Sequence, residues 1–150
     1  MTIVGVHITK LNAERNMKSV SQKVGINNNI TIKEVAEHDF MLGSSKQQGL
    51  RFSFVFNCNY TPDIGSIDVE GDVLVLEDEE ETKKVLHEWK TNKRVHGDYA
   101  ENILNSALMR SNIQAIKISQ DLNLPSPVPL PRIEKKDAAT AKAQPKATAK

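Results

Sequence analysis

Four histidines, one cysteine and a short row of carboxylates are the residues of this 150-residue chain that could bind metal, attack a substrate or move protons. His7, His38, His87 and His96 are scattered along the chain. His87-Glu88 opens like the helical motif of zinc proteases, but Thr91 stands where the second histidine ligand would have to be. Cys58 alternates with Phe56 and Tyr60, a spacing that points it into the core as a small apolar side chain. A nucleophilic thiol needs an accessible, electropositive setting instead. The glycines are isolated and form no phosphate-cradling loop. Asp68, Glu70 and Asp72 share one face of an alternating run. Carboxylates in that pattern solvate the wet side of a sheet, and as a functional group they suit docking of a basic partner better than catalysis. These readings predict a non-enzyme with no metal site, no catalytic residues and no cofactor.

The residues that would position such groups fall into strands first and helices second. Leu50, Phe52, Phe54, Phe56, Cys58 and Tyr60 occupy every second position, with Arg51, Ser53, Asn57 and Asn59 between them. Only a half-buried strand sends alternate side chains to opposite faces. Thr61-Pro62-Asp63-Ile64-Gly65 reads as a turn, with Pro62 setting φ and Gly65 allowing a positive one. Ile67, Val69, Val73 and Val75 then alternate with acids, completing an antiparallel hairpin in which Gly71 suggests a bulge. Two earlier strands are expected, one through Val4, Val6 and Ile8, the other through Ile30 and Ile32 after a turn at Asn27-Asn28-Asn29. Residues 43–49 read as an exposed loop.

Beyond residue 76 the apolar period lengthens to that of a helix. Asp78 with Glu81 forms a capping-box pattern ahead of Thr82, Val85, Leu86 and Trp89, in a helix ending near Arg94. Asp98 with Glu101 repeats the pattern before a longer helix over about 98–122. One of its faces carries Ile103, Leu104, Ala107, Leu108, Ala115, Ile118 and Leu122, and a second carries Met109, Ile113 and Ile116. A helix on a wet surface needs only one apolar stripe. Met109, Ile113 and Ile116 are therefore the expected contacts of a homo-oligomer, a dimer or tetramer.

Composition sets the outer bounds. Hydrophobic residues make up 39% of the chain and aromatics 5%, so the core must lean on Ile, Leu and Val. No apolar run approaches the ~20 residues of a membrane helix, and the start lacks the pattern of a secretory signal, so a cytoplasmic protein without membrane insertion is expected. The net charge of +1 conceals a division. Residues 134–150 hold five lysines against Glu134 and Asp137, a net of +3, which leaves residues 1–133 with 15 basic and 17 acidic groups. The chain reads as a domain over 1–133 and a Lys/Ala-rich tail over 134–150 whose composition cannot build a core and predicts disorder. Nucleic acid is expected to meet this chain only through that tail.

Between the long helix and the tail, Pro125, Pro127, Pro129 and Pro131 forbid a helix, while Leu124, Val128 and Leu130 favour docking of this segment on the domain over a free linker. The run Leu122-Asn123-Leu124-Pro125-Ser126-Pro127-Val128, the hairpin from Leu50 to Leu76 and the helix from Asp98 together resemble the SecB family of preprotein-export chaperones. The likeness spans about residues 3–133 in the order of elements, and only the Leu/Pro run in motif. It implies an α+β fold, a four-stranded antiparallel sheet with two C-terminal helices packed on one face, assembled as a dimer or dimer of dimers through the long helix. It also implies apolar grooves for unfolded polypeptides, for which Leu124, Val128 and Leu130 are the candidate lining, and an acidic outer sheet face that docks the export motor, where Asp68, Glu70 and Asp72 would sit. The basic tail departs from the acidic, glycine-rich tail of export-pathway members. The function expected is a holdase chaperone, with protein export as its implied setting. The alternative is a non-enzymatic adaptor or ribosome- or RNA-associated protein that uses the basic tail.

Overall fold

The computed structural model describes residues 1–16, 23–129 and 131. Four strands precede two helices: β1 (Thr2–Arg15), β2 (Gly25–Leu42), β3 (Ser45–Thr61), β4 (Gly65–Leu76), α1 (Glu79–Asn92) and α2 (Gly97–Asp121). The strands form one antiparallel sheet in the order β1-β4-β3-β2, so β1 and β2 are its edges. Both helices pack on one face, and the expected α+β architecture stands. The tail over 134–150 and Leu130 lie outside the described residues.

The alternation in β3 and β4 becomes the core. Leu50, Phe52, Phe54, Phe56, Cys58 and Tyr60 are buried, as are Ile67, Val69, Val73 and Val75 opposite them. Each fully buried side chain of this size contributes about 1.5–3 kcal/mol of transfer free energy, which makes this hairpin the centre of the molecule. Its apolar face divides into two clusters. The upper one packs Phe52, Phe54 and Val73 against Val85 of α1 and Tyr99, Ile103 and Ala107 of α2. The lower one packs Phe56, Tyr60 and Ile67 against Ala115 and Leu124.

Several local expectations need correction. The sheet is more extensive than the alternation suggests. Asn27-Asn28-Asn29 is strand, and residues 45–49 continue β3, so that a tight turn at Gly43, with φ of +66°, joins β2 to β3. Both stretches are polar because their side chains face water, so apolar periodicity leaves no trace there. Irregularities between Ile3 and Gly5, and again between Ile8 and Lys10, change the face count of β1. Ile3, Val6, Ile8 and Leu11 thereby all lie opposite the inward row Val75, Val73, Gly71 and Val69, whereas Val4 falls outside the alternation and is exposed. Gly71 lies opposite Ile8 beside the second irregularity, where a Cβ would collide with the His7 carbonyl. At the β3–β4 turn the positive φ belongs to Asp63, at 49°, and not to Gly65.

The first helix cap is as expected. The Asp78 carboxylate accepts from the Glu81 amide at 2.8 Å, and the helix ends on Lys93 in the left-handed region. The second is not. His96 occupies the cap position of α2 without a side-chain cap bond, which places Asp98 inside the first turn. There its charge still favours the positive helix end. The buried stripe of α2 also differs in part. It runs Tyr99, Ile103, Ala107, Ser111, Ala115 and Ser119, each four residues from the last. Small side chains at four of these positions let the helix backbone lie close on β4.

Candidate functional site

The outer sheet face, opposite α1 and α2, carries Asp68, Glu70 and Asp72 side by side, as their spacing predicts. Each is engaged within the sheet. Asp68 accepts from Asn57 Nδ2 at 2.6 Å and Asp72 accepts from Ser53 Oγ at 2.6 Å. Glu70 faces the Lys10 ammonium at 3.9 Å, and on the neighbouring strands Arg51 lies 3.6 Å from Glu34. Neighbouring polar groups already hold these carboxylates, and a basic partner would have to compete with them.

Cys58 lies fully buried in the lower cluster, where burial pushes its thiol pKa up, away from the thiolate a nucleophile needs. Among the described residues no three His, Cys, Asp or Glu side chains converge on a point that could hold a metal ion. His96 has a local role. Its Nδ1 lies 2.9 Å from Glu88 and its Nε2 lies 3.7 Å from Glu81, while its ring meets Tyr99 edge-on at 5.3 Å. It thus clasps the end of one helix to the start of the next. Through its hydrogen bond to His96, the Glu88 carboxyl pKa is drawn below its ordinary range.

The Leu/Pro segment is docked on the domain. Asn123, with φ of 55°, turns the chain out of α2, and the Leu124 amide closes the helix end on the Ser119 carbonyl at 2.8 Å. Tyr60 Oη then donates to the Pro125 carbonyl at 2.6 Å, and Asn28 Nδ2 donates to the Pro127 carbonyl at 2.9 Å. Proline removes backbone donors but leaves carbonyls, and the two strands below supply the donors that those carbonyls accept. Leu124 is 7% exposed and belongs to the lower core cluster, so it is not the wall of an open cleft. Val128 is half-buried.

An open groove lies on the other side of α2. It has a volume of about 880 Å³ and runs between β1 and α2, with Met1, Ile3 and Val6 on the strand side and Met109 and Ile113 on the helix side. Asn102, Asn105, Ser106 and Arg110 complete the helix wall. Met109 is 69% exposed and Ile113 49%. Met109 and Ile113 are thus outward-facing as expected, and Ile116, the third of that set, is half-buried. The groove borders the outer edge of β1, beside which no strand lies among the described residues. The helix half of this site is legible in the sequence as a second apolar stripe. The strand half is not, because it depends on pairing β1 with β4 and on the changes of face within β1.

The fold and this site define an α+β protein with a four-stranded antiparallel sheet, two helices on one face, and an apolar groove along an open sheet edge. No family model and no curated protein matches the chain. Among solved structures it is similar to the SecB-like chaperone Rv1957 of Mycobacterium tuberculosis, determined in complex with a ChAD peptide from the antitoxin Rv1956 HigA1. The two share 17% identity, with 91% of this chain and 92% of that chain covered and a TM-score of 0.46. At that identity and TM-score the likeness assigns neither family nor activity to this chain.

Proposed function

We propose that the protein binds extended, non-native polypeptide segments and holds them from aggregation. The observation that supports this reading most directly is the groove between β1 and α2, where exposed Met109 and Ile113 face Ile3 and Val6 beside an unpaired sheet edge. An extended segment added to β1 gains main-chain hydrogen bonds from the strand edge, and its inward side chains gain apolar contacts in the groove. Such binding tolerates many sequences, because the backbone bonds are common to all. Methionine is suited to an adaptable surface of this kind, being unbranched and polarisable.

Light scattering from a chemically denatured client, diluted into increasing amounts of the protein, tests the proposal. Suppression of aggregation that saturates near stoichiometric amounts is the expected result, and a Met109→Asp/Ile113→Asp double variant that folds normally should lose it. Absence of suppression by the unaltered protein in excess would rule the proposal out.

The same exposure supports a second reading, in which another copy of the chain covers Met109, Ile113 and Ile116. The helix is long enough for such a contact, at 25 residues. Sedimentation velocity separates the two uses: a self-associating protein that dissociates on Met109→Asp uses this face for assembly, and a monomer leaves it free for clients.

A further inference from the structure

The groove between β1 and α2 is apolar but not electrically neutral. Among the described residues that line it two cations occur: the Met1 ammonium, which lies 3.5 Å from the Glu77 carboxylate, and the Arg110 guanidinium; none of the lining side chains is acidic. Among the described residues Arg110 takes part in no ion pair and no hydrogen bond, whereas Arg51, in the open sheet face, is paired with Glu34. Along the same helix wall lie Asn102, Asn105 and Ser106, whose amide and hydroxyl groups can donate hydrogen bonds. The helix wall thus offers a cation and several neutral donors, opposite a strand wall of Met1, Ile3 and Val6.

We propose that the groove selects extended segments that carry an aspartate or glutamate between apolar residues, with the carboxylate placed on Arg110. This inference rests on the polypeptide-holding function proposed above and adds to it a rule for which segments are held. In a strand laid along β1, every second side chain faces the helix, about 6.6 Å from the next. The matching pattern is therefore apolar, any residue, acid, any residue, apolar. The apolar pair enters among Ile3, Val6, Met109 and Ile113, and the acid between them meets the guanidinium, which can hold both carboxylate oxygens. A lysine at the same position brings like charge against Arg110, and none of the described side chains lining the groove is acidic. The stretch 134–150, with five lysines, has the wrong sign and lacks the apolar alternation, so the chain's own tail is not the ligand.

The test uses three acetylated and amidated fluorescent octapeptides with leucine at two inward positions and Glu, Gln or Lys at the inward position between them. Anisotropy titrations of the full chain should show the Glu peptide binding about five-fold tighter than the Gln peptide, the scale of one partly exposed ion pair. The Lys peptide should bind weakest, and the Glu preference should shrink as salt is raised. R110Q should equalise the Glu and Gln peptides while keeping the affinity of the Gln peptide. Equal binding of the Glu and Gln peptides by the unaltered protein, or a preference that survives R110Q, overturns the inference and leaves the holding function intact. If none of the three peptides binds while client aggregation is still suppressed, clients are held elsewhere and the inference falls. If none binds and Met109→Asp dissociates a self-assembled form, the groove is a contact between copies and the inference falls with it.

Discussion

Along the inner face of the sheet, α2 separates two regions of similar apolar content and opposite exposure. Towards β3 and β2, Phe52, Phe54, Phe56, Cys58 and Tyr60 are between 0 and 1% exposed. They lie under α1 at one end and under the Leu124–Pro129 strap at the other. Towards β1, Leu11 is 40% exposed, Ile113 49% and Met109 69%, although they are no more polar. The difference is the presence of a cover, not the type of residue. Among the described residues, two elements cover one side of α2 and none covers the other. Uncovered apolar surface beside a sheet edge marks an interaction site in a way that scattered exposed leucines do not.

This contrast predicts that substitutions on the covered side cost stability and those on the open side cost binding. The largest expected effect is Phe52→Ala, which removes a fully buried ring packed 5.8 Å from that of Tyr99. Urea unfolding should show a loss of about 3–5 kcal/mol. Tyr60→Phe keeps the ring and deletes the hydroxyl that donates to the Pro125 carbonyl, so a loss of about 1 kcal/mol is expected. Limited proteolysis should show faster cleavage in 124–129 if the strap is held as described. Met109→Ser on the open side should change unfolding stability by no more than about 0.5 kcal/mol, because the side chain is already in water. Its effect should appear in client holding, and a stability loss as large as that of Phe52→Ala would erase the distinction between the two regions.

The smallest effect concerns the clasp between the helices. The Glu88 pKa is lowered in the folded chain, so its contribution to stability is present above the ordinary glutamate pKa. That contribution fades as pH falls through the lowered folded value. His96→Gln should return the Glu88 carboxyl towards its ordinary range, measurable by NMR titration, and make the acid side of the stability curve shallower.

How much of this was legible in the sequence follows from where water lies. The β3–β4 hairpin has one wet and one dry face, and strict alternation from Leu50 to Tyr60 records that directly. Residues 45–49 and 27–29 do not alternate in hydrophobicity, so long strands read as loop and turn there. In β1 the changes of face set Val4 outside the alternation and put Ile3 and Val6 on one face, which a strict period of two cannot describe. The Leu/Pro segment was legible as a docked strap, but not that Leu124 would be spent in the core. The groove was half legible. Met109 and Ile113 stand out on a helix that already has a buried stripe, yet nothing local tells that Ile3 and Val6 come to face them. Arg110 carried no signal at all, since an arginine on a helix is ordinary until its neighbours are known.

The pairing of the first strand with the last has a consequence for how the molecule comes together. Strands β2, β3 and β4 follow one another through tight turns, so their contacts close short loops, whereas β1 must wait for Gly65 to reach Arg15. Until then the outer edge of β4 is bare, and Val69 and Val73 lack the strand beside them. Loop-closure cost therefore predicts that sheet formation ends with the capture of an extended segment, bearing apolar residues on one side, by an open edge next to a helix. The chain carries out on its own first strand the operation proposed for its clients, with β4 in the place that β1 later takes.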